Sequence, residues 1–378
     1  MIDKLYEIIF FIAAFLYLLF SFFLFTHKKG NRMSNKIFAG FCLSKAFFII
    51  HDLFSIFRQS VYKVFPIYMD VIFESTFFLI GPFLYFYTRS MTSKNFVFKR
   101  IHLLHLIPFV IDVTFRNYRF FSHPNIADIM REKGYFISNS ELRWRYITMD
   151  IHVIIYIIAA LIILLRYRSE LKKIFSSIER VKLSWLYLVL FGFLPVHLFH
   201  LSKLTLAYLN EIWREIFGLS THIGSLLLAT IVVVKGLRQP EIFSSIDEKK
   251  TKQKYAKTAL SKETMEQYLK KLTQYMETEK PYLNPSLNVN ELAYKLSIPS
   301  HYISQILSRR LGQNFYHFVN KYRIEESKRI LADKANNKKT VLEVLYEVGF
   351  NSKSTFNTIF KQYTGLTPTQ FINSQKKK

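Results

Sequence analysis

Seven long apolar runs before residue 236 constrain this 378-residue chain more than any other feature of its sequence. Each is close to the roughly 20 residues that an α-helix needs to cross the hydrocarbon core of a bilayer. The runs lie at 5–26, 37–57, 65–88, 101–115, 147–165, 184–204 and 216–235. Because a backbone in lipid must satisfy its own hydrogen bonds, we expect each run to form a membrane-spanning helix.

The basic residues between the runs predict the orientation of the chain. Lys and Arg are concentrated in the loops after the first, third and fifth runs. The alternate loops carry few of them, apart from the long loop 116–146, where acidic residues offset the basic ones. Since cytoplasmic loops are enriched in Lys and Arg, we expect a multi-pass protein of the cell (inner) membrane. Its N-terminus would lie outside and its C-terminal domain in the cytoplasm.

Ionisable side chains inside the runs are candidates for sensing a signal, because such groups are costly in a bilayer and tend to face the interior of a helix bundle. The candidates are Asp70, Glu74, His197, His200 and His222. Hydrogen bonds between helices are the alternative interpretation. The sequence predicts no catalytic residue, no metal site and no cofactor, since the histidine spacing matches no zinc hydrolase motif. The single cysteine, Cys42, cannot form a disulfide within the chain.

The composition of the chain changes after residue 235. Gly236 and Pro240 end the last apolar run, and a lysine-rich stretch follows. We therefore predict a transmembrane sensor domain of about seven helices at 1–235, a basic linker at 236–259 and a soluble domain at 260–378. The net charge of +25 suits contact with anionic lipid near the runs and with a phosphate backbone in the soluble domain.

Two helix-turn-helix patterns follow each other in the soluble domain, at 289–307 and 342–360. In each, an apolar-patterned helix leads through a short turn to a second helix, which begins at Ser300 or Ser352. Gly349 can adopt the left-handed conformation that a tight turn needs. Asn351 is predicted to cap the second helix of the second unit.

Helical spacing divides each second helix into a core face and an exposed face. The exposed residues are Ser300, His301, Ser304, Gln305, Ser308, Lys353, Ser354, Asn357, Thr358 and Lys361. Hydrogen-bonding side chains of this kind contact base edges and phosphates in a major groove, so the pattern predicts double-stranded DNA as a partner. A solvated helix face is the alternative for one such pattern, but two in series with matching turns favour DNA binding.

The stretch 260–372 resembles the DNA-binding domain of the AraC-type bacterial transcription regulators. The motifs that carry the resemblance include Glu291-Leu-Ala, Tyr302-Ile-Ser-Gln, Gly312-Gln-Asn-Phe, Asn320-Lys-Tyr-Arg-Ile, Glu347-Val-Gly-Phe-Asn-Ser-Lys-Ser and Gly365-Leu-Thr-Pro. The resemblance implies two helix-turn-helix units, joined by a long helix at about 315–331, whose recognition helices enter successive major grooves. Leu345 and Ser327 replace residues that are usually Ala in the family, so the packing must accommodate the larger Leu345.

The sequence thus predicts an all-α protein, with a seven-helix transmembrane bundle followed by a soluble double helix-turn-helix domain. The predicted function is that of a membrane-bound, non-enzymatic transcription regulator that binds specific DNA sequences. Its partners would be the lipid bilayer, double-stranded DNA and an unknown signal ligand or partner protein, and a homodimer is one arrangement that the hypothesis allows. The alternative is a membrane receptor or transporter whose C-terminal domain binds protein.

Overall fold

A computed structural model of the protein describes residues 2–27, 31–61, 64–93, 96–122, 139–178, 183–206, 211–237, 261–333 and 339–376. Throughout these residues the secondary structure is helical with no β-strand, which confirms the predicted fold class. The chain divides into two compact units. The first contains Met1–Leu165 and Leu183–Ser245, and the second contains Arg166–Lys182 and Ile246–Lys378. Most of the predicted linker lies outside the described residues, and the domain limits stay a prediction.

The first unit is built from long helices whose sequences are the apolar runs. They are α1 (Ile2–Thr26), α2 (Arg32–Ile56), the short α3 (Arg58–Val61), α4 (Ile67–Ser75), α5 (Phe77–Thr92), a 3-10 helix (Arg100–Leu106), α6 (Ile107–Ser122), α7 (Asn139–Ile174), α8 (Ser184–Leu206) and α9 (Glu211–Leu237). Helix α1 packs against α2 and α9, α2 packs against α5, and α8 packs against α9. Close approach of α2 and α5 depends on Gly40, where a Cβ atom would lie 2.7 Å from the ring of Phe83.

Six helical segments of the described chain are long and apolar enough to cross a membrane. They are Glu7–Thr26, Arg32–Ile56, Tyr68–Thr92, Arg143–Ile174, Ser184–Thr205 and Ile216–Val234. These segments correspond to six of the seven predicted runs. The segment Tyr68–Thr92 is interrupted at Thr76, between α4 and α5, where the Thr76 hydroxyl donates to the carbonyl of Ser44 on α2 at 3.0 Å.

The remaining predicted run, 101–115, divides between the 3-10 helix and α6, so it lacks a single helix of spanning length. Pro108 lies in the first turn of α6, where a missing backbone N–H costs nothing. The segment nevertheless runs antiparallel to α7. His105 contacts Tyr156, Asp112 accepts from Arg145 at 2.7 Å, and Arg119 pairs with Glu141 at 3.3 Å. Tyr156 and Glu141 are 15 residues apart on α7, which is about 22 Å along a helix.

The described part of the second unit, residues 166–178, 261–333 and 339–376, contains seven shorter helices and the end of α7. They are α10 (Lys262–Thr278), α11 (Val289–Leu296), α12 (Ser300–Arg310), α13 (Phe315–Ala332), α14 (Val341–Glu347), α15 (Lys353–Thr364) and α16 (Pro368–Lys376), with a 3-10 turn at Pro281–Leu283. Helix α13 is the predicted linking helix. Its apolar residues share one core with α10, α11 and α12. Leu345 is fully buried in α14, so the fold accommodates the larger side chain.

Candidate nucleic-acid interface and buried polar clusters

The first helix-turn-helix consists of α11 and α12, joined by a three-residue turn. Asn288 caps α11, because its side-chain oxygen accepts from the backbone N–H groups of Asn290 and Glu291 at 3.1 Å. Ser297 reverses the chain with a left-handed φ of +54°, a conformation that is uncommon for a residue other than glycine. The next residue, Ile298, is buried between the two helices. The turn therefore fixes the direction in which α12 leaves the core.

The second helix-turn-helix consists of α14 and α15. Thr340 caps α14 in a reciprocal arrangement, in which its hydroxyl accepts from the Glu343 N–H at 3.2 Å and the Glu343 carboxylate accepts from the Thr340 N–H at 2.6 Å. The bond from the Thr340 N–H, and a second that the Thr340 hydroxyl donates to the same carboxylate at 2.8 Å, hold the pKa of Glu343 below its usual value. Gly349 has the predicted left-handed backbone, with φ of +88°. The predicted cap Asn351 is wrong by one residue: Ser352 caps α15 by accepting from the Thr355 N–H at 3.3 Å.

The two recognition helices present the predicted faces. Their predicted core residues are all buried, namely Ile303, Ile306, Leu307, Phe356, Ile359 and Phe360. The ten candidate DNA contacts lie on exposed or half-buried positions of α12 and α15. The hydroxyls of Ser304 and Thr358 donate to carbonyls of their own helices, at 3.1 and 2.9 Å, and keep their acceptor lone pairs. The faces therefore offer donors and acceptors of the kind that major-groove contacts use, and contact with DNA stays a prediction.

Arg323, on α13, is a fully buried side chain that connects several parts of the second unit. Its Nε donates to the Tyr282 carbonyl at 2.7 Å, and its Nη2 donates to the Asn284 carbonyl at 2.8 Å and to Ser176 Oγ at 3.1 Å. The guanidinium carbon lies 5.6 Å from the centre of the Phe350 ring. One side chain thus contacts the entry to the first helix-turn-helix, the turn of the second, and the segment that follows α7. Burial raises the pKa of the Tyr282 hydroxyl to about 12.

Residues 166–178, here called the docked segment, belong to the second unit although they follow the fifth apolar run. Ser176 is buried; its Oγ donates to the Leu287 carbonyl at 2.6 Å, and its N–H donates to the same carbonyl at 3.2 Å. Phe175 forms an isolated antiparallel bridge with Asn288, the cap of α11. Lys172 Nζ lies 5.3 Å from the centre of the Tyr316 ring. From the sequence we expect this segment to be a loop between apolar runs, because nothing in its composition indicates that it packs against the C-terminal domain.

A concave surface lies between the two recognition helices and includes a residue of the docked segment. Lys173 lines it together with Ser304 and Ser308 of α12 and Tyr363 of α15. Burial, and after it the charge of Lys172, lowers the pKa of His317, which also lines this surface. Two of the predicted DNA contacts, Ser304 and Ser308, therefore share a surface with a lysine that the sequence places more than 130 residues earlier.

Asp70 and Glu74, two of the candidate sensing residues, are buried in one ion-pair network of the first unit. Asp70 Oδ1 lies 2.9 Å from His51 Nδ1. Glu74 pairs with Arg116 and, at 2.5 Å, with Arg145 of α7. Asp112 of α6 accepts a bidentate pair of hydrogen bonds from Arg145, at 2.8 and 2.7 Å, and the Tyr146 hydroxyl donates to Glu74 at 2.6 Å. The network joins α2, α4, α6 and α7, so these carboxylates link four helices, and a role in sensing stays a prediction.

The three candidate histidines line one cavity of the first unit. Asp150 of α7 accepts from Nδ1 of His197 at 2.9 Å and from Nδ1 of His200 at 2.6 Å. His222 of α9 lines the same cavity and contacts Phe10 edge-on, with ring centres 4.5 Å apart. The cavity and the ion-pair network are distinct groups, but Tyr146 belongs to both. Within the described residues, no cluster of His, Cys, Asp and Glu has the arrangement of a metal site.

Comparisons with known proteins identify the C-terminal part of the chain. Residues 292–374 match a family model described as a helix-turn-helix domain. An HTH-type transcriptional regulator encoded in the cgkA 5′ region of Pseudoalteromonas carrageenovora is 32% identical over 93 residues, which are 25% of this chain and 52% of that protein. The transcriptional regulatory protein YesN of Bacillus subtilis is 30% identical over 94 residues, which are 24% of this chain and 25% of YesN.

Among solved structures, the C-terminal domain of AraT, a response regulator from Geobacillus stearothermophilus, matches 28% of this chain and 84% of that domain, with 24% identity and a TM-score of 0.25. That TM-score is too low to support a comparison of folds. The chain spans about half the length of the first curated relative and a quarter of the second.

The second unit therefore carries a helix-turn-helix domain of the class found in transcription regulators, with two such units in series. It is an AraC-type domain, as the motifs predicted, and the matched residues extend from α11 into α16.

Proposed function

We propose that this protein is a membrane-bound transcription regulator that binds specific DNA sequences and couples a signal at the membrane to gene expression. The observation that carries the proposal is the course of α7. This helix contributes residues 139–165 to the unit that contains the apolar helices and residues 166–174 to the unit that contains the AraC-type domain. A continuous helix is a direct route by which a change among the apolar helices would reach the DNA-binding surface.

The docked segment supports coupling because it is fixed to the DNA-binding unit by specific contacts. Ser176 and Arg323 hold its end, and Lys173 lies on the same concave surface as Ser304 and Ser308. A shift of α7 along its axis, or a rotation about it, would move that lysine relative to the recognition helices. The signal would thereby alter how the unit docks on DNA or how two copies dimerise on it.

The topology we propose places the N-terminus outside the cell and the DNA-binding unit in the cytoplasm. Seven crossings put the two ends of the chain on opposite sides, and the antiparallel path of 101–122 along α7 supports a seventh crossing in addition to the six long apolar segments. The basic loops after the first, third and fifth runs would then face the cytoplasm. Labelling of single cysteines, introduced into a Cys42→Ser background, with a membrane-impermeant thiol reagent tests each loop.

DNA recognition is tested with the full-length protein in lipid nanodiscs and a pool of random DNA duplexes. Selection should enrich a defined sequence, and the absence of any sequence preference even at low salt would refute DNA readout. Gln305→Ala and Asn357→Ala should each relax preference at one or two base pairs, by about 1–3 kcal/mol per lost contact. Both side chains lie at half-buried positions of the recognition helices.

Phosphate contacts should respond differently from base contacts. Lys353→Ala and Lys361→Ala, each on an exposed position of α15, should weaken binding to all DNA sequences by a similar factor. Each should reduce the slope of log affinity against log salt by about 0.9. Lys270→Ala, on an exposed position of α10, is the matched control and should leave that slope unchanged. A salt slope that responds equally to all three substitutions would contradict the assignment of α15 to the DNA interface.

A further inference from the structure

The cavity of the first unit is lined by residues of α1, α2, α5, α7, α8 and α9 and has a volume of about 200 Å³. Since a water molecule in the liquid occupies about 30 Å³, this is room for about seven waters or a ligand with a similar number of heavy atoms. Part of its wall is apolar, formed by Phe10, Phe48 and Phe77. The rest of the wall carries charged and imidazole side chains, a combination typical of small-molecule sites.

Two lysines and one aspartate line this cavity without forming ion pairs. Lys45 of α2 is 4% exposed, and its Nζ lies 5.4 Å from the centre of the Phe193 ring. Lys203 of α8 and Asp52 of α2 also line the cavity. Within the described chain, none of the three has an ion-pair partner at 4.0 Å or less. A buried ammonium without a partner is costly. Lys45 is buried and Lys203 is half-buried, so two ammonium groups that line one cavity, with Asp52 as the carboxylate of its lining, favour an anionic occupant.

His197, which lines the same cavity, offers a hydrogen-bond acceptor at Nε2. The ionised carboxylate of Asp150 can only accept hydrogen bonds, so its short contacts to His197 and His200 place the donor proton of each ring on Nδ1. In the neutral ring Nε2 is then an acceptor. His197 Nε2 is buried and makes no hydrogen bond, although its residue lines the cavity. Leaving such an acceptor unsatisfied is unfavourable, and a ligand hydroxyl or ammonium group would satisfy it.

We propose that this cavity binds a small carboxylate that also carries a hydroxyl or ammonium group, such as a hydroxy acid or an amino acid. The carboxylate lies between Lys45 and Lys203, and the donor group faces His197 Nε2 and Asp52. Binding itself is independent of DNA, and only the role of this ligand as the signal rests on the proposed function. Asp150, which accepts a hydrogen bond from His197, is on α7. Occupancy of the cavity would therefore act on the helix that ends in the docked segment.

The experiment uses the full-length protein in lipid nanodiscs with L-lactate and L-alanine as probes. Affinity is measured by saturation-transfer NMR and by the shift in thermal unfolding, since a ligand that binds only the folded state stabilises it. Lactamide has nearly the same shape without the carboxylate, and propionate lacks the donor group. At least one of the two probes should bind about tenfold more tightly than lactamide and more tightly than propionate.

Variants locate the binding site. Lys45→Gln and the less buried Lys203→Gln should each weaken probe binding by about tenfold or more. Lys36→Gln, on an exposed position of the same helix α2, should leave it unchanged. His197→Phe should abolish the preference for the probe over propionate. That ratio stays measurable even if the variant is less stable.

Three outcomes would overturn the proposal. One is failure of both probes to bind at about 10 mM; another is binding that lactamide matches; the third is binding that both lysine variants retain. DNA selection with the same preparation is scored separately, so that loss of the ligand site and loss of DNA recognition are distinguishable.

Discussion

Replacing Ser176 with Ala tests whether the docked segment is held in the DNA-binding unit by the contacts described above. The hydroxyl of Ser176 donates to the Leu287 carbonyl at 2.6 Å and accepts from Arg323 Nη2 at 3.1 Å, in a site that is 1% exposed. Alanine fits the same space and removes only these two bonds. The substitution therefore isolates the polar attachment from the packing.

The structure sets the size of the expected effect. A neutral hydrogen bond contributes about 0.5–1.5 kcal/mol and one to a charged group about 1.5–3 kcal/mol. Both former partners keep other bonds, because Leu287 still accepts from the Ser176 N–H and Arg323 Nη2 still donates to Asn284. Neither is left unsatisfied, so the loss should be near the lower limit, at about 2 kcal/mol. That corresponds to an increase of about 30-fold in the population of the detached segment.

Amide hydrogen exchange of the full-length protein in nanodiscs measures this population, since exchange from a locally opened state follows the free energy of opening. Peptides covering 171–178 and 284–290 should exchange about 30-fold faster in Ser176→Ala. Thr278→Ala is the control, because its exposed hydroxyl bonds only to the Gln274 carbonyl of its own helix, at 3.1 Å. Exchange within about threefold of wild type in both peptides would refute the reasoning.

Three further substitutions test the local structure of the second unit by thermal or urea unfolding. A left-handed alanine costs about 1–3 kcal/mol. Gly349→Ala should destabilise the protein by more than this, because its Cβ would lie 2.6 Å from the Tyr282 carbonyl oxygen. Gly365→Ala should incur only the conformational cost, because Gly365 has a φ of +76° and no atom lies within 4 Å of its Cβ position. Thr340→Ala should cost about 1 kcal/mol by removing the cap of α14, and equal stability to wild type would contradict that role. Hydrogen bonds from Arg329 and Lys280 lower the pKa of Glu326 below 4.5. The stability that the ionised carboxylate contributes is therefore present above that pH and is lost as the pH falls. The free energy of unfolding of Glu326→Gln should differ from that of wild type less at pH 4 than at pH 7, and an unchanged difference would count against the pairing.

Much of the DNA-binding unit could be predicted from sequence because its signals are local. The apolar spacing of α12 and α15 gave the buried faces, and the glycine at 349 gave the turn. The cap was assigned to Asn351 in place of Ser352 because both residue types favour that position, and only the backbone conformation distinguishes them. The left-handed Ser297 carried no signal at all, since serine rarely adopts that conformation.

Sequence reasoning failed where the contacts join residues distant in the chain. Ser176 and Arg323 are separated by 147 positions, and neither residue type predicts a buried partner. The ionisable groups of the apolar runs were found as candidates, but their division into a satisfied ion-pair network and a cavity depends on which helices are neighbours. Asp70 contacts His51 and Glu74 pairs with two arginines. Lys45, which sequence reasoning did not select, lacks an ion-pair partner among the described residues.

Helix α7 is held by charged side chains at both of its ends, which bears on how it could transmit a signal. Near its start, Arg145 is paired with Glu74 and Asp112, and just beyond its end Ser176 is bonded to Arg323. Between these points Asp150 receives both cavity histidines. The proposed ligand contacts Nε2 of the His197 ring, whose Nδ1 is bonded to Asp150. Breaking a buried pair by removing one partner is strongly destabilising, so a shift of this ring on ligand binding would act on α7. Under the proposed function, α7 would carry that change to the docked segment, whose Lys173 lines the same concave surface as Ser304 and Ser308 of the first recognition helix.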